Sequence, residues 1–324
     1  MPSSLVTILT AGFNARRYLE RYLQGLVLQD YTHLQIIFVD DGSTDGSLQF
    51  IQSWLTRLNL AASLLVTLRQ ENQGPHVAMN HGLQFATGDL ILPLDADDML
   101  LPGAVHAFVK VFEDNPTVDL VYAEHRRCDE NFQPLPSPKL SPRLKDPSKL
   151  LHNLLICGMF IPAGAYCYRR HCLDYLPNKQ FTPEYHAQNL ELLLHTAARG
   201  KCLYLDAETV ELTVRPNSRS RAKSLERLKR KVYGSHRLQR EVARQYAVAW
   251  GVRTKLEARL LPLELDYYFL SGMRQAFFRA WVKALCVGVV SRKHVVQAFS
   301  MLSPHWRSKV IERYFRGYDL ATVS

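Results

Sequence analysis

Apolar and polar positions change period repeatedly along the first hundred residues. The run "LVTILTA" (5–11) is continuous enough for a strand buried on both faces. It is followed by "RRYLERYLQGLVLQ", where Tyr18, Leu19, Tyr22, Leu23 and Leu26 recur at helical spacing. "LQIIFVDDGS" reads as a second strand ending in a turn. A helix over about 46–58, the strand "SLLVTLRQ", the helix "PHVAMNHGLQFA" and the strand "DLILPLD" continue the alternation. Strand and helix in turn predict an α/β fold, a mostly parallel sheet with helices on both faces. In such sheets ligands bind beyond the carboxyl ends of the strands.

The pattern changes after residue 220. "AKSLERLKRKVYGSHRLQREVARQYAVAWG" sets Leu225, Leu228, Val232 and Leu238 against a Lys/Arg-rich face, and "SGMRQAFFRAWVKALCVGVVSRKHVVQAF" sets aromatics beside Arg274, Arg279 and Lys283. Two domains are expected: 1–220, and a basic, mainly helical region 221–324. Between the halves, "ENFQPLPSPKLSPRLKDPSKLL" carries five prolines and should be an extended loop.

Charge separates the same two regions. Residues 221–324 hold 21 of the 40 Lys and Arg but only 7 of the 30 Asp and Glu, giving +14 against −4 for residues 1–220. An acidic first half needs a cation to hold a phosphorylated ligand, while a basic amphipathic second half suits packing, a homodimer contact or an anionic membrane surface. No uncharged run reaches the ~18 residues of a spanning helix. No nucleic-acid-binding motif accompanies the charge, so nucleic acid is not expected as a partner. The six cysteines show no C-x-x-C pair, and the N-terminus lacks the pattern of an export signal. A cytoplasmic protein is the expectation, with peripheral attachment to the inner face of the plasma membrane as an extension of it.

Two carboxylate clusters fall at predicted strand ends: Asp40-Asp41 in "VDDGSTDGS" and Asp95-Asp97-Asp98 in "LDADD". Each has a plain structural explanation. Asp-Gly-Ser is a common turn, Ser43 or Thr44 suits a helix N-cap, and Asp98 suits a cap for a helix starting near Pro102. Asp95 and Asp97, two apart on one turn, also suit a ribose hydroxyl and a hard divalent cation respectively, Mn²⁺ or Mg²⁺ taking carboxylate and phosphate oxygens. His76 and His81 are expected to partner backbone groups.

Taken together, "ILTAGFNARRYLERYL", "IIFVDDGSTDGS", "NQGPHVAMNHGLQFATGDLILPLDADDMLLPG" and "LELLLHTAARGKCLYLD" resemble family 2 glycosyltransferases of the GT-A fold over roughly residues 4–220. The resemblance implies a nucleotide-diphosphate sugar donor, a glycan or lipid-linked acceptor and transfer with inversion. It implies that Asp41 reads the base, Asp95 contacts the ribose and Asp97 binds the metal. Ala11, Phe13, Asn14, Asn72, Gly74, Asn80, Ala96 and Arg215 complete the implied donor set.

Four departures from the family pattern stand out. "AGFN" replaces P-T-Y-N, Met79 replaces an Arg, and Arg215, in a basic loop with Arg219 and Arg221, replaces a metal-binding His. The E-D pair that usually supplies the base is Gln188-Asn189. An amide cannot act as a general base near neutral pH. Glu184 and His186 are the substitute candidates, with Glu191 on a different helix face, and Asn189 is left to orient the acceptor hydroxyl. A nucleotide-sugar-binding protein with little catalysis is the second reading. A nucleotidyltransferase is the third, disfavoured because "TAGFNARRYL" lacks a repeated-glycine loop.

Overall fold

The computed structural model describes residues 4–57, 65–157, 161–215, 224–316 and 318. Positions 58–64 and 158–160, and the loop arginines Arg219 and Arg221, lie outside them. The described chain forms two compact units, one of them within 1–151, 159–183 and 188–215, the other within 152–158, 184–187 and 216–324.

The first unit is built on β1 (Val6–Gly12), α1 (Leu19–Val27), β2 (Leu34–Asp40), α2 (Ser47–Arg57), β3 (Leu65–Arg69), α3 (Pro75–Leu83) and β4 (Leu90–Pro93). These four strands lie parallel in the order β3-β2-β1-β4. Continuous apolar runs make this possible, because Ile8, Leu9, Ile37 and Leu92 have no accessible surface and each contributes about 1.5–3 kcal/mol through burial. On α1 the predicted face is the buried one, Tyr18, Leu19, Tyr22, Leu23 and Leu26 all packing inward. Order reverses between β1 and β4, so the ends of β1, β2 and β4 open onto one crevice.

Beyond β4 the sheet turns mixed. The chain adds β5 (Met99–Leu100), α4 (Ala104–Asp114), β6 (Leu120–Asp129), β7 (Pro134–Leu135), β8 (Tyr166–Arg169), α6 (Gln188–Arg199) and β9 (Cys202–Val214), while α5 (Leu150–Cys157) falls mostly within the second unit. β8 is antiparallel to β4 and β6, β9 runs parallel to β6, and β5 pairs antiparallel with β9. The proline-rich stretch is mostly irregular, as expected, apart from β7 and a short 3₁₀ turn at Pro147–Lys149.

The second unit is helical: α7 (Leu225–Arg230), a π-helical turn (Lys231–Ser235), α8 (His236–Gln245), α9 (Trp250–Leu270), α10 (Arg274–Cys286), α11 (Arg292–Ser300) and α12 (Pro304–Tyr314). Leu225, Leu228, Val232, Leu265, Phe269 and Phe277 form its core. Arg240 on α8 clamps α9, with Nε and Nη2 on Glu257 at 2.8 and 2.6 Å and Nη1 on the buried Glu264 at 2.6 Å. No helix of the described residues is long and apolar enough to cross a membrane.

Candidate active site

The turns after β1 and β2 are laced together by side chains that the sequence places in "AGFNAR" and "DDGSTDGS". Asn14 sits at φ 50°, a left-handed conformation that asparagine tolerates. Its Oδ1 accepts from the Thr44 N–H at 2.9 Å, while its own N–H donates to Ser43 Oγ at 2.9 Å. Ala15 N–H donates to Ser47 Oγ, and Arg16 N–H to Asp45. Ser43 and Thr44 therefore bind the neighbouring turn rather than capping α2. Ala11 lies in β1 and Phe13 is exposed.

Asp41 is buried at the end of β2. Its Oδ1 accepts from Gln70 Nε2 and Gln73 N–H, and its Oδ2 from Gly74 N–H, all at 2.9 Å. Gly74, at φ 90°, is the N-cap position of α3 and supplies this N–H from a backbone shape that other residues rarely adopt. Gln70 is held in turn by His81 Nδ1 at 3.0 Å, so His81 partners a side chain and not the backbone group expected of it. A shallow cleft lined by Gly42, Arg69, Gln70, Glu71 and Asn72 lies against this turn. Gln70 and Gln73 were not legible as site residues, because nothing in a surface glutamine announces the carboxylate it will meet. Asn80 closes on the backbone of Phe181 with both ends of its amide, at 2.8 Å each, so it fixes the chain ahead of α6.

The carboxyl oxygens of Asp95, Asp97 and Asp98 come within 4.8 Å of one another. Burial, then the Asp97 charge, push the Asp95 carboxyl up to about 7, with Arg215 opposing. Burial also raises Asp97, again against Arg215. Asp98 is raised well above the carboxylate range by burial and by Asp97 and Asp95. It does not cap a helix: α4 begins at Ala104 with Gly103 as its N-cap, and Asp98 Oδ1 instead accepts from Thr213 N–H at 2.8 Å. Residues after the cluster are drawn into β5 against β9, and that register carries Asp98 to the end of β9. Ala96 is buried between the acids. Crowded oxygen donors of this kind fit a hard divalent cation, with Asp97 as the residue to hold it.

Arg215, the residue after β9, reaches the same cluster. Its Nη2 lies 2.6 Å from Asp97 Oδ2, and its guanidinium lies over the Tyr18 ring, 5.4 Å from the centroid.

Asn189 is buried in the first turn of α6 and its Oδ1 accepts from Tyr166 Oη at 2.8 Å. Tyr166 is a further residue that the sequence does not single out, since it reads as an ordinary strand aromatic. Glu191 is fully buried and accepts from Thr182 N–H at 3.0 Å. Glu184 and His186 are exposed and lie in the segment 184–187, which belongs to the second unit.

A family profile described as "Glycosyl transferase family 2" matches residues 7–174. An uncharacterized glycosyltransferase of Nostoc sp. is 29% identical over 175 residues, 52% of each chain. A putative teichuronic acid biosynthesis glycosyltransferase of Bacillus subtilis, TuaG, is 35% identical over 94 residues, 29% of this chain and 36% of the relative. This chain thus spans about half or less of the length of these curated relatives. Among solved structures, Staphylococcus aureus TarS 1–349 in complex with UDP superposes with a TM-score of 0.56 at 17% identity, covering 91% of this chain and 90% of that one. A mannosyltransferase of Pyrobaculum calidifontis in complex with GDP-Man and Mn²⁺ gives 0.57 at 19% identity, covering 96% and 84%. With the profile spanning more than half of the sequence and the fold shared with GT-A enzymes, the chain belongs to glycosyltransferase family 2.

Proposed function

We infer that the protein transfers a sugar, hexosyl or N-acetylhexosaminyl, from a nucleotide-diphosphate sugar to a glycan, lipid-linked or protein-linked acceptor with inversion. A UDP-sugar is the favoured donor, and cell-surface polysaccharide or glycoconjugate synthesis the favoured setting. The observation that carries this reading is the convergence of Asp41, Asn14, Asp95, Asp97 and Arg215 on the crevice where strand order reverses. The bound UDP and GDP-Man of the structural neighbours support a nucleotide-sugar donor.

In this reading Asp41, pre-aligned by Gln70, Gln73 and Gly74, accepts from a ring N–H of the base. Asn14 and the cleft at Asn72 shape the wall beside it, and Asp95 accepts from a ribose hydroxyl. Arg215 donates to diphosphate oxygens, which gain charge as the anomeric bond breaks. A divalent cation held by Asp97 would add Lewis-acid stabilisation of the leaving diphosphate. Asn189 orients the acceptor hydroxyl, and Glu184 or His186 takes its proton. The working location is the cytoplasm, at the inner face of the plasma membrane. A second reading, donor binding without transfer, is favoured by one feature: an amide stands where the base is expected.

Calorimetry with UDP and GDP, with and without Mn²⁺, tests the donor site, and sugar release from a panel of nucleotide sugars tests transfer. Asp41→Ala should weaken UDP about tenfold or more, and Asp97→Ala should weaken it only when Mn²⁺ is present. Unchanged affinity in both variants would overturn the reading.

A further inference from the structure

The Asp97–Arg215 ion pair has a consequence for how a cation reaches this site, and it rests on the donor-site reading above. We propose that Arg215 is a built-in competitor for the metal position, a guanidinium that occupies Asp97 until a nucleotide diphosphate draws it away. Metal and nucleotide then bind cooperatively rather than independently.

Three restraints hold Arg215 where it competes. The end of β9 is tied to the acidic turn by the Thr213 N–H on Asp98 Oδ1, two residues before Arg215. The guanidinium lies over the Tyr18 ring, and that ring is buried at the entry to α1. Nη2 then meets Asp97 Oδ2 at 2.6 Å. A cation on either Asp97 oxygen would stand within a few ångströms of the guanidinium's positive charge. The metal must therefore displace Arg215 or bind against its repulsion.

The pair is built to be broken. The Arg215 side chain is 38% exposed against 17% for Asp97, so the guanidinium can swing into the crevice while the carboxylate stays. Its buried Nε has no hydrogen-bond partner among the described residues, which leaves part of the donor fork open for a second acceptor. Diphosphate oxygens offer that acceptor in the planar two-point geometry that arginine prefers. Moving Arg215 onto the diphosphate frees Asp97 for the metal, and metal on Asp97 frees Arg215 for the diphosphate. By linkage each ligand must strengthen the other by the same factor.

The test is calorimetry of Mn²⁺ with the full chain, with no nucleotide and with saturating UDP. Without nucleotide, Arg215→Ala and Arg215→Gln should each bind Mn²⁺ about tenfold tighter than the parent, while Arg215→Lys, which keeps the charge, should stay within about threefold of it. With UDP the parent's Mn²⁺ affinity should rise by about tenfold or more, and this gain should shrink in Arg215→Ala and Arg215→Gln. Two neutral variants guard against one failing to fold, which far-UV circular dichroism would reveal. Mn²⁺ affinity that is equal or weaker in the folded neutral variants, or no Mn²⁺ binding by any of the proteins, overturns the competition. A failure of UDP to bind under any condition overturns the donor reading instead, and the nucleotide-free comparison of Mn²⁺ affinities separates the two.

Discussion

Tyr166 Oη donates a 2.8 Å hydrogen bond to Asn189 Oδ1 at the start of α6, where the family resemblance implies the second residue of an E-D pair. This bond fixes which end of the amide is spent. The remaining end, Nδ2, can only donate, so Asn189 can hold an acceptor hydroxyl by its oxygen but cannot take its proton.

Replacing Asn189 by Asp should restore a proton acceptor while keeping the Tyr166 bond. Sugar transfer should rise by at least about tenfold and by up to the ~10²–10⁴-fold that a positioned base supplies. Glu184→Gln or His186→Gln should lower transfer in the parent, whichever carries the base. Initial rates with a responsive donor check this; an inert Asn189→Asp together with two silent variants removes the acceptor from this helix.

The second unit should bind anionic bilayers. Phe299, Leu302 and Trp306 are 72%, 71% and 60% exposed, and Lys309 Nζ lies over the Trp306 ring, 5.1 Å from its centroid. Aromatic and basic side chains in such company suit the headgroup boundary. Co-sedimentation with phosphatidylserine vesicles should fall at high salt, where the screening length drops to about 3 Å, and should fall with Phe299→Ser and Trp306→Ser. Equal pelleting with neutral lipid contradicts the electrostatic part.

Arg240 holds α8 to α9 through Glu257 and Glu264, and Glu264 is buried beside His236, whose Nδ1 lies 2.9 Å away. Arg240→Met leaves that carboxylate without its main countercharge, and unfolding free energy should drop by about 3–5 kcal/mol. Adding Glu264→Gln should recover part of the loss. Urea titration of the single and double variants measures both.

His195, on α6, is buried, and burial followed by the Arg199 charge lowers its pKa to about 4. Since the unfolded chain takes up the proton near 6.5, stability from this site is complete above that pH. It is lost progressively as pH falls from about 6.5 to 4, by on the order of 3 kcal/mol at most. His195→Gln should flatten this part of the stability profile. An unchanged slope between pH 6.5 and 4 would show that His195 is already charged in the folded chain.

The strand–helix alternation and the carboxylate positions were legible in the sequence because they are local. A continuous apolar run can only be a buried strand or helix, its length selects between them, and a turn of Asp, Gly and Ser must follow where the run stops. The buried face of α1, the parallel arrangement of the first four strands and the placing of Asp41, Asp95 and Asp97 beyond strand ends all followed from this. Tertiary structure decided what no local pattern encodes. Asp98 looked like a cap because the next helix is near in sequence, yet the β5–β9 register brought Thr213, 115 residues away, to its carboxylate. Gln70 and Gln73 became the supports of Asp41, Asn80 was turned onto Phe181, and Tyr166 fixed Asn189, because a buried polar group takes whichever partner the fold brings within reach. Arg215 was visible as a departure from the family pattern. That its guanidinium rests on Asp97 depended on β9 ending beside the acidic turn, a matter of sheet order that a single chain of letters does not contain.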